Sequence, residues 1–340
     1  MTQAGKRNLI TDVAGLSVGQ AEDAAARSGV TVLLAERPFA AAVDVRGGAP
    51  GTSETETLDP ASLAGDADAI TLSGGSVYGL EAAAAVCAWL GARGRGFRFR
   101  PDVLPAPIVP GAIVFDLANG GDKNWGETPP YRALALHAVE RAGADFALGN
   151  AGAGLGATSG IYKGGTGSAY VVTEDGFTVG ALVIVNSVGS PIIPATDVFW
   201  AFPFEQENEF GGKRLAPDFK PVDAALPPDL KSPARAGANT TIAVVATDAD
   251  LARVELKRLA IMAADGFARA LRPVHTPFDG DTVFAIATAK HALAEPRPFA
   301  LMQLGNAAAD CLARAIARGV YEAKTLGDIR STRDVFAKRS

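Results

Sequence analysis

Histidine and cysteine are almost absent from this 340-residue chain, which has three of the first and two of the second. Cys87 and Cys311 both lie in Ala-rich, helix-forming stretches. They form neither a disulfide framework nor a zinc pattern, and they read as buried free thiols. There is no G-x-S-x-G nucleophile elbow, H-E-x-x-H, C-x-x-C or Walker loop. His137 falls in mid-helix, and His275, between Pro273-Val274 and Thr276-Pro277, reads as a loop-packing residue. The usual signals of a hydrolase built on a histidine base are therefore missing. No run of Lys or Arg exceeds two, the net charge is −5 and the pI is near 5.4, so neither nucleic acid nor an anionic membrane is an expected partner. No apolar run reaches the roughly 18 residues of a membrane helix. The opening MTQAGKRNLITDV has no apolar signal core, and a cytoplasmic location is expected.

What the chain has is apolar residues, at 48%, and 38 glycines. β-Branched and apolar runs predict strands at 29–35, 39–46, 68–73, 112–117, 168–173, 178–186, 240–247 and 282–288. Asp175-Gly176 predicts a hairpin turn between the fifth and sixth of these. Helical spacing predicts an Ala-rich helix over 77–91 and a second after the N-cap cluster 247–250, with Leu256, Leu259, Ala263 and Phe267 on one side. A third helix is predicted over 298–323. Helices mixed with hairpins indicate a layered α/β fold with much antiparallel sheet. The segment 204–239, rich in Pro and charge, reads as an exposed excursion that is either functional or a chain boundary.

Asn239-Thr240 stands where that polar segment meets a strong apolar strand. If the bond between them breaks, Thr240 gains an α-amine of pKa about 7.7–8. Such an amine can take the proton of the adjacent hydroxyl and so replace the missing histidine. Asp279-Gly280-Asp281, just before the last strand, reads either as a turn capped by its own side chains or as a carboxylate pair for an ammonium group, the nucleophile's or the substrate's. Taken singly, Lys163 in SGIYKGGTGSA is an ordinary surface lysine and Asn186 a strand-end turn residue. Gly152-x-Gly154-x-Gly156 is a loose dinucleotide fingerprint without the helix or acidic residue that should follow.

Ordered blocks give these residues a common meaning: LITDVAGLSVG at 9–19, VDVRGGAPGTSETETLDP at 43–60, LSGGSVYGLEAA at 72–83 and APIVPGAIVFDL at 106–117. They continue with GNAGAGLGATSGIYKGGTGS at 149–168, ALVIVNSVG at 181–189, NTTIAVVATDA at 239–249 and RPVHTPFDGDTVFAIAT at 272–288. Over nearly its whole length the chain resembles the DmpA family, the L-aminopeptidase/D-Ala-esterase/amidase group that includes β-peptidyl aminopeptidases and nylon-oligomer hydrolases. The resemblance implies a four-layer αββα sandwich of the DmpA/ArgJ type, similar to N-terminal nucleophile hydrolases, in one domain self-cleaved into an α chain 1–239 and a β chain 240–340. It implies Thr240 as nucleophile, Asn186 as oxyanion-hole donor, Lys163 as a catalytic-site lysine of the nylon-hydrolase branch and Tyr78 as a pocket residue. Asp279 and Asp281 match a pair that is aspartate in the nylon-hydrolase branch, whereas β-aminopeptidases carry Ser and Glu there. The implied substrate is a small peptide or amide with a free amine, and the implied assembly is a homotetramer of αβ units. The chemistry requires no metal and no cofactor.

Three further readings follow. Hydrolysis of ω-amino-acid oligomers differs only in substrate. A nucleotide-dependent oxidoreductase would use the Gly-rich run 149–156, and an uncleaved binding or assembly protein would migrate as one band on a denaturing gel.

Overall fold

The architecture follows from strands that are apolar on both faces. In the computed structural model of the chain, which describes residues 5–64, 66–220, 226–231 and 239–337, the strands are β1 (Leu16–Asp23), β2 (Ser28–Val45), β3 (Thr52–Ser53), β4 (Ala67–Ser73), β5 (Gly111–Ile113), β6 (Thr158–Ser159), β7 (Tyr162–Lys163), β8 (Gly165–Val172), β9 (Thr178–Asn186), β10 (Thr240–Asp250) and β11 (Thr282–Ala292). The helices are α1 (Glu81–Gly91), α2 (Tyr131–Glu140), α3 (Arg253–Ala263), α4 (Asp265–Ala270), α5 (Arg297–Tyr321) and α6 (Thr332–Phe336). No helix among the described residues is long and apolar enough to cross a membrane.

Hydrogen bonding runs in the order β3-β5-β4-β2-β11-β10-β9-β8, with β1 added to β2. The 18-residue β2 turns this ladder into two sheets. Its first half, Val30–Leu34, pairs with β4 and β1, and its second half, Ala40–Val45, pairs with β11. The pairing register shifts between Leu34 and Phe39, a stretch that contains Pro38, which has no N–H for a ladder.

Period-two alternation sorts the side chains between layers. Leu182 and Ile184 of β9, Ile242 and Val244 of β10, and Phe284 and Ile286 of β11 meet Leu33, Ile70 and Leu72 in the core between the sheets. The intervening Val183, Val185, Ala243, Val245, Val283 and Ala285 pack against α3, α4 and α5. On the far side α1 and α2 cover Val30, Val32 and Ala69. Three apolar layers between four structural ones make the αββα sandwich that the resemblance implied.

Several expectations need adjustment. The strands expected at 29–35 and 39–46 are one bent strand, and the helix expected from 252 is two, broken at Ala264. The strand expected at 112–117 is only Gly111–Ile113. The segment 204–239 is exposed over much of 207–220, as expected of an excursion, but it is anchored to the body of the protein at several points. Phe210 is in the core, and Glu209 makes a bidentate pair with Arg314, Oε1 2.5 Å from Nε and Oε2 3.0 Å from Nη2. Asp229 and Lys231 are also buried.

Candidate active site

Thr240 opens β10 directly opposite Asn186, the last residue of β9. The alternation that puts residues 182, 184, 242 and 244 between the sheets puts both of these side chains on the same inner side, at the end of the sandwich. Both are nearly inaccessible, at 3% for Thr240 and 1% for Asn186. The Thr240 hydroxyl donates to the carbonyl oxygen of Asn239, so Oγ stands beside the peptide group that would have to be cut. The same carbonyl accepts the Gly280 N–H at 3.0 Å. An N–H already on that oxygen is placed where negative charge would develop if Oγ attacked the carbonyl carbon.

Gly280 is at this position for lack of space. A Cβ there would lie 2.8 Å from Thr240 Oγ, 3.1 Å from its Cγ2 and 2.7 Å from the Ala49 carbonyl oxygen. The loop that carries Gly280 is clamped by the block 46–49. Arg46 and Gly47 N–H groups donate to the Asp281 carbonyl, and Ala49 N–H donates to that of Asp279 at 2.8 Å.

The Asn186 carboxamide has its two ends assigned by its neighbours. Its Oδ1 accepts the Thr158 N–H at 3.0 Å and the Lys231 ammonium at 3.2 Å, groups that only donate. Its Nδ2 donates to the Phe115 carbonyl at 3.1 Å, a group that only accepts. Flipping the amide would set donor against donor and acceptor against acceptor, so the NH2 is held in one direction.

Asp279 and Asp281 lie behind Thr240 at 1% and 3% exposure. Asp279 accepts Val188 N–H at 3.2 Å, Thr276 N–H at 3.0 Å and Thr276 Oγ at 2.5 Å. Burial, and then the charge of Asp281, push its carboxyl above the usual range. Asp281 accepts Thr241 N–H at 2.9 Å, and its other oxygen takes both the N–H of His275 at 3.0 Å and the ring Nδ1 at 2.9 Å. His275, expected only to pack a loop, thus supports one of the two carboxylates.

Lys163 is not a surface lysine. It is fully buried and its Nζ donates to the carbonyls of Gly154 (2.9 Å), Ala157 (2.9 Å) and Gly164 (2.7 Å). Three acceptors match the three protons of an ammonium, while burial works the other way and lowers its pKa to about 7, with Asp116 opposing. The loop it ties together delivers Thr158 to Asn186. Tyr78 stands apart, half-exposed in the turn Ser76–Leu80 and edge-on to Trp125 at 5.7 Å.

The glycines of the loose dinucleotide fingerprint face the protein itself. A Cβ on Gly152, Gly154 or Gly156 would strike Thr31, Thr166 or the Arg27 carbonyl respectively, which leaves no cradle for a phosphate. The chain continues into β6, not a helix. Among the described residues, no three His, Cys, Asp or Glu side chains are grouped to hold a metal.

Open space is elsewhere. A cavity of about 770 Å³ lies between the β8 edge, residues 203–206 and α5, and none of the site residues lines it. The cavity lined by Phe115, Thr158 and Lys231 measures about 20 Å³, room for about one water. Lys231, Gly280 and His275 escaped sequence reasoning because each acts through space. Only the flanking Asp279 and Asp281 gave a signal in the linear chain.

A family model described as peptidase family S58 matches residues 8–333. An uncharacterized aminopeptidase of Mycobacterium tuberculosis is 43% identical over 349 residues, covering 97% of this chain and 98% of the relative. A 6-aminohexanoate-oligomer endohydrolase of a Kocuria species is 32% identical over 291 residues, covering 84% and 76%. Among solved structures, an L-aminopeptidase D-Ala-esterase/amidase from Ochrobactrum anthropi, described as a variant of the Ntn-hydrolase fold, superposes with a TM-score of 0.67 at 23% identity, covering 94% of this chain and 88% of that one.

Proposed function

The chain belongs to peptidase family S58 and is a hydrolase of peptide or amide bonds, and on that premise we propose that it cuts its own 239–240 bond and then uses Thr240 as an N-terminal nucleophile. The observation that carries this reading is the Asn239 carbonyl. It is held between the Thr240 hydroxyl on one side and the Gly280 N–H on the other.

In the first stage Thr240 Oγ attacks the Asn239 carbonyl carbon, and the Gly280 N–H stabilises the oxyanion, with the Asn186 NH2, paired opposite Thr240 across the two strands, assigned as its second donor. The Oγ proton passes to the Thr240 nitrogen as the C–N bond breaks, the acyl group moves to Oγ as an ester, and water releases an Asn239 carboxylate and a free Thr240 amine. Residues 1–239 and 240–340 then form the α and β chains. In the second stage the neutral amine takes the Oγ proton as the hydroxyl attacks a substrate carbonyl. The Asn186 NH2 donates to the tetrahedral oxyanion, the leaving amine takes the proton, and water hydrolyses the acyl-enzyme. Near-complete burial of Asp279 and Asp281 favours the α-amine, in the ammonium form it takes on after accepting the Oγ proton, over a substrate amine as their charge partner, because it forms one residue from the Thr241 N–H that Asp281 already holds. Lys163, its three protons engaged by carbonyls, braces the loop that positions Thr158 and moves no proton. Tyr78 is assigned to substrate contact at the rim.

The proposed substrates are small peptides or amides with a free amine, a preference that the family resemblance suggests and that no longer rests on the Asp279/Asp281 pair. Similarity to the 6-aminohexanoate-oligomer endohydrolase of the Kocuria species keeps ω-amino-acid oligomers in the tested set. The mass and first residue of the smaller fragment test the processing step, with Thr240 expected. A panel of amino-acid p-nitroanilides, their N-acetyl derivatives and 6-aminohexanoate oligomers then separates the substrates. A catalytically active enzyme whose purified chain remains whole would refute the scheme.

A further inference from the structure

Lys231 lies nine tenths buried in a stretch with no secondary structure, eight residues before Asn239, and its Nζ is 3.2 Å from Asn186 Oδ1 and 3.4 Å from the Asn186 backbone oxygen. The stretch is tied down at several points. Lys231 N–H donates to the Val188 carbonyl at 3.2 Å, the Asp229 carboxylate takes the Ser190 hydroxyl, and the Asp229 carbonyl accepts Ile161 N–H at 3.0 Å. A long, charged side chain on an otherwise irregular segment is thereby delivered to one carboxamide.

We propose that Lys231 is a positioning residue for the oxyanion donor: its ammonium fixes which way the Asn186 amide points and polarises it, in self-cleavage and in turnover alike. Two physical effects converge. A cation at Oδ1 draws electron density from the amide nitrogen, so the NH2 becomes a stronger donor to negative charge. It also gives Oδ1 a second partner that only donates, beside Thr158 N–H, which raises the penalty for the flipped rotamer. Because Lys231 belongs to the chain upstream of the cut, the segment 226–231 stays with Asn186 in the processed enzyme through contacts to 160–161 and 188–190 that cleavage does not touch. The inference rests on Asn186 serving as the oxyanion donor.

The test compares Lys231→Met, Lys231→Gln and Lys231→Arg with the parent in two assays: the first-order rate of self-cleavage on a denaturing gel, and kcat and KM of the processed enzyme. Losing a group that orients an oxyanion donor, not the donor itself, is expected to slow both cleavage and kcat by about 10–100-fold. KM should stay within about twofold, because the ground-state amide gains little from the donor. Lys231→Arg should recover most of both rates, and a purely structural role would not produce that split. If Lys231→Met does not fold, Lys231→Gln carries the comparison, since it keeps a polar side chain and removes only the charge. Folded Met and Gln variants that cleave and turn over within twofold of the parent overturn the proposal, as does an Arg variant no better than Gln. Failure of the parent itself to split refutes the nucleophile scheme, a result distinct from either.

Discussion

Gly280→Ala is a minimal change that reaches Thr240, the proposed nucleophile. The φ angle of Gly280 lies outside the left-handed range, so an alanine costs little in backbone strain, and its effect must come from the methyl group. That methyl would sit 2.8 Å from Thr240 Oγ, where ordinary contact begins at 3.4 Å. It cannot retreat, because the Ala49 carbonyl oxygen is 2.7 Å away on another side and the Ala49 N–H is bonded to the same loop. The hydroxyl must therefore move by about 0.6 Å or rotate out of line with the Asn239 carbonyl. Overpacking of this kind costs about 1–3 kcal/mol. At about 2.1 cal/mol/K per residue this lowers Tm by roughly 1–4 °C, a loss the fold survives. Catalysis should suffer more, since a misplacement approaching 1 Å costs about 100-fold. The assay is a time course of fragment appearance on a denaturing gel beside a thermal melt. A variant that melts within a few degrees of the parent but cleaves about 100-fold more slowly agrees with the geometry. A variant that processes itself at the parent rate shows that the Thr240–Gly280 contact does not set the position of the hydroxyl.

Asn186→Ala should lower kcat by about 10²–10³ with little change in KM, measured on whatever fraction of the enzyme has processed. Glu209→Ala breaks a buried pair with Arg314 and should destabilise the fold by about 3–5 kcal/mol, read as a lower Tm, while residual activity at 25 °C persists because the pair lies far along β8 and β9 from Asn186. Lys163 holds its proton less tightly in the fold, with a pKa of about 7, than in the unfolded chain, where it is an ordinary lysine. Between those two values the unfolded state binds more protons, so this group makes stability rise with pH from about 7 upward, the penalty being full below that window. Thermal melts at pH 6.5, 8 and 9 should show the rise in the parent, and Lys163→Met should lose that part of the slope.

The layers were legible because burial on both faces leaves a plain signature. Runs such as ALVIV at 181–185 and TTIAVVAT at 240–247 have no polar face, and each became a strand of the inner sheet. β1 was missed because Gly19, Gln20 and Glu22 interrupt its alternation, and its place comes from pairing with β2, a long-range fact. Thr240 could be singled out because one residue, given a chain break, supplies nucleophile and base together. Its surroundings could not. Asp279 and Asp281 read either as a turn capped by its own side chains or as a carboxylate pair for an amine, and their oxygens do hold backbone N–H groups of residues 188, 241, 275 and 276. Lys163 read as exposed because local composition is polar, while the carbonyls that enclose it belong to a loop folded back on itself. Lys231 sat in a Pro-rich segment whose anchors, residues 160–161 and 188–190, are some 40 to 70 positions away.

One consequence ties these residues together. On the proposed scheme the Asn239 carbonyl is the first one that the Thr240 hydroxyl attacks, and the cavity lined by Phe115, Thr158 and Lys231 is only about 20 Å³. On that scheme the chain is its own first substrate, and groups that stabilise its oxyanion act on that bond as on later ones. Substitutions at Gly280, Asn186 and Lys231 should therefore lower the rate of self-cleavage and kcat in proportion, falling on one line when the logarithms are plotted against each other. Substitution of Tyr78, half-exposed against Trp125 and remote from the Asn239 carbonyl in hydrogen-bond terms, should leave that line, changing KM for substrates while the cut at 239–240 proceeds at the parent rate. If Tyr78→Ala slows self-cleavage as much as Asn186→Ala does, the pocket tyrosine belongs to the reacting centre and not to the rim.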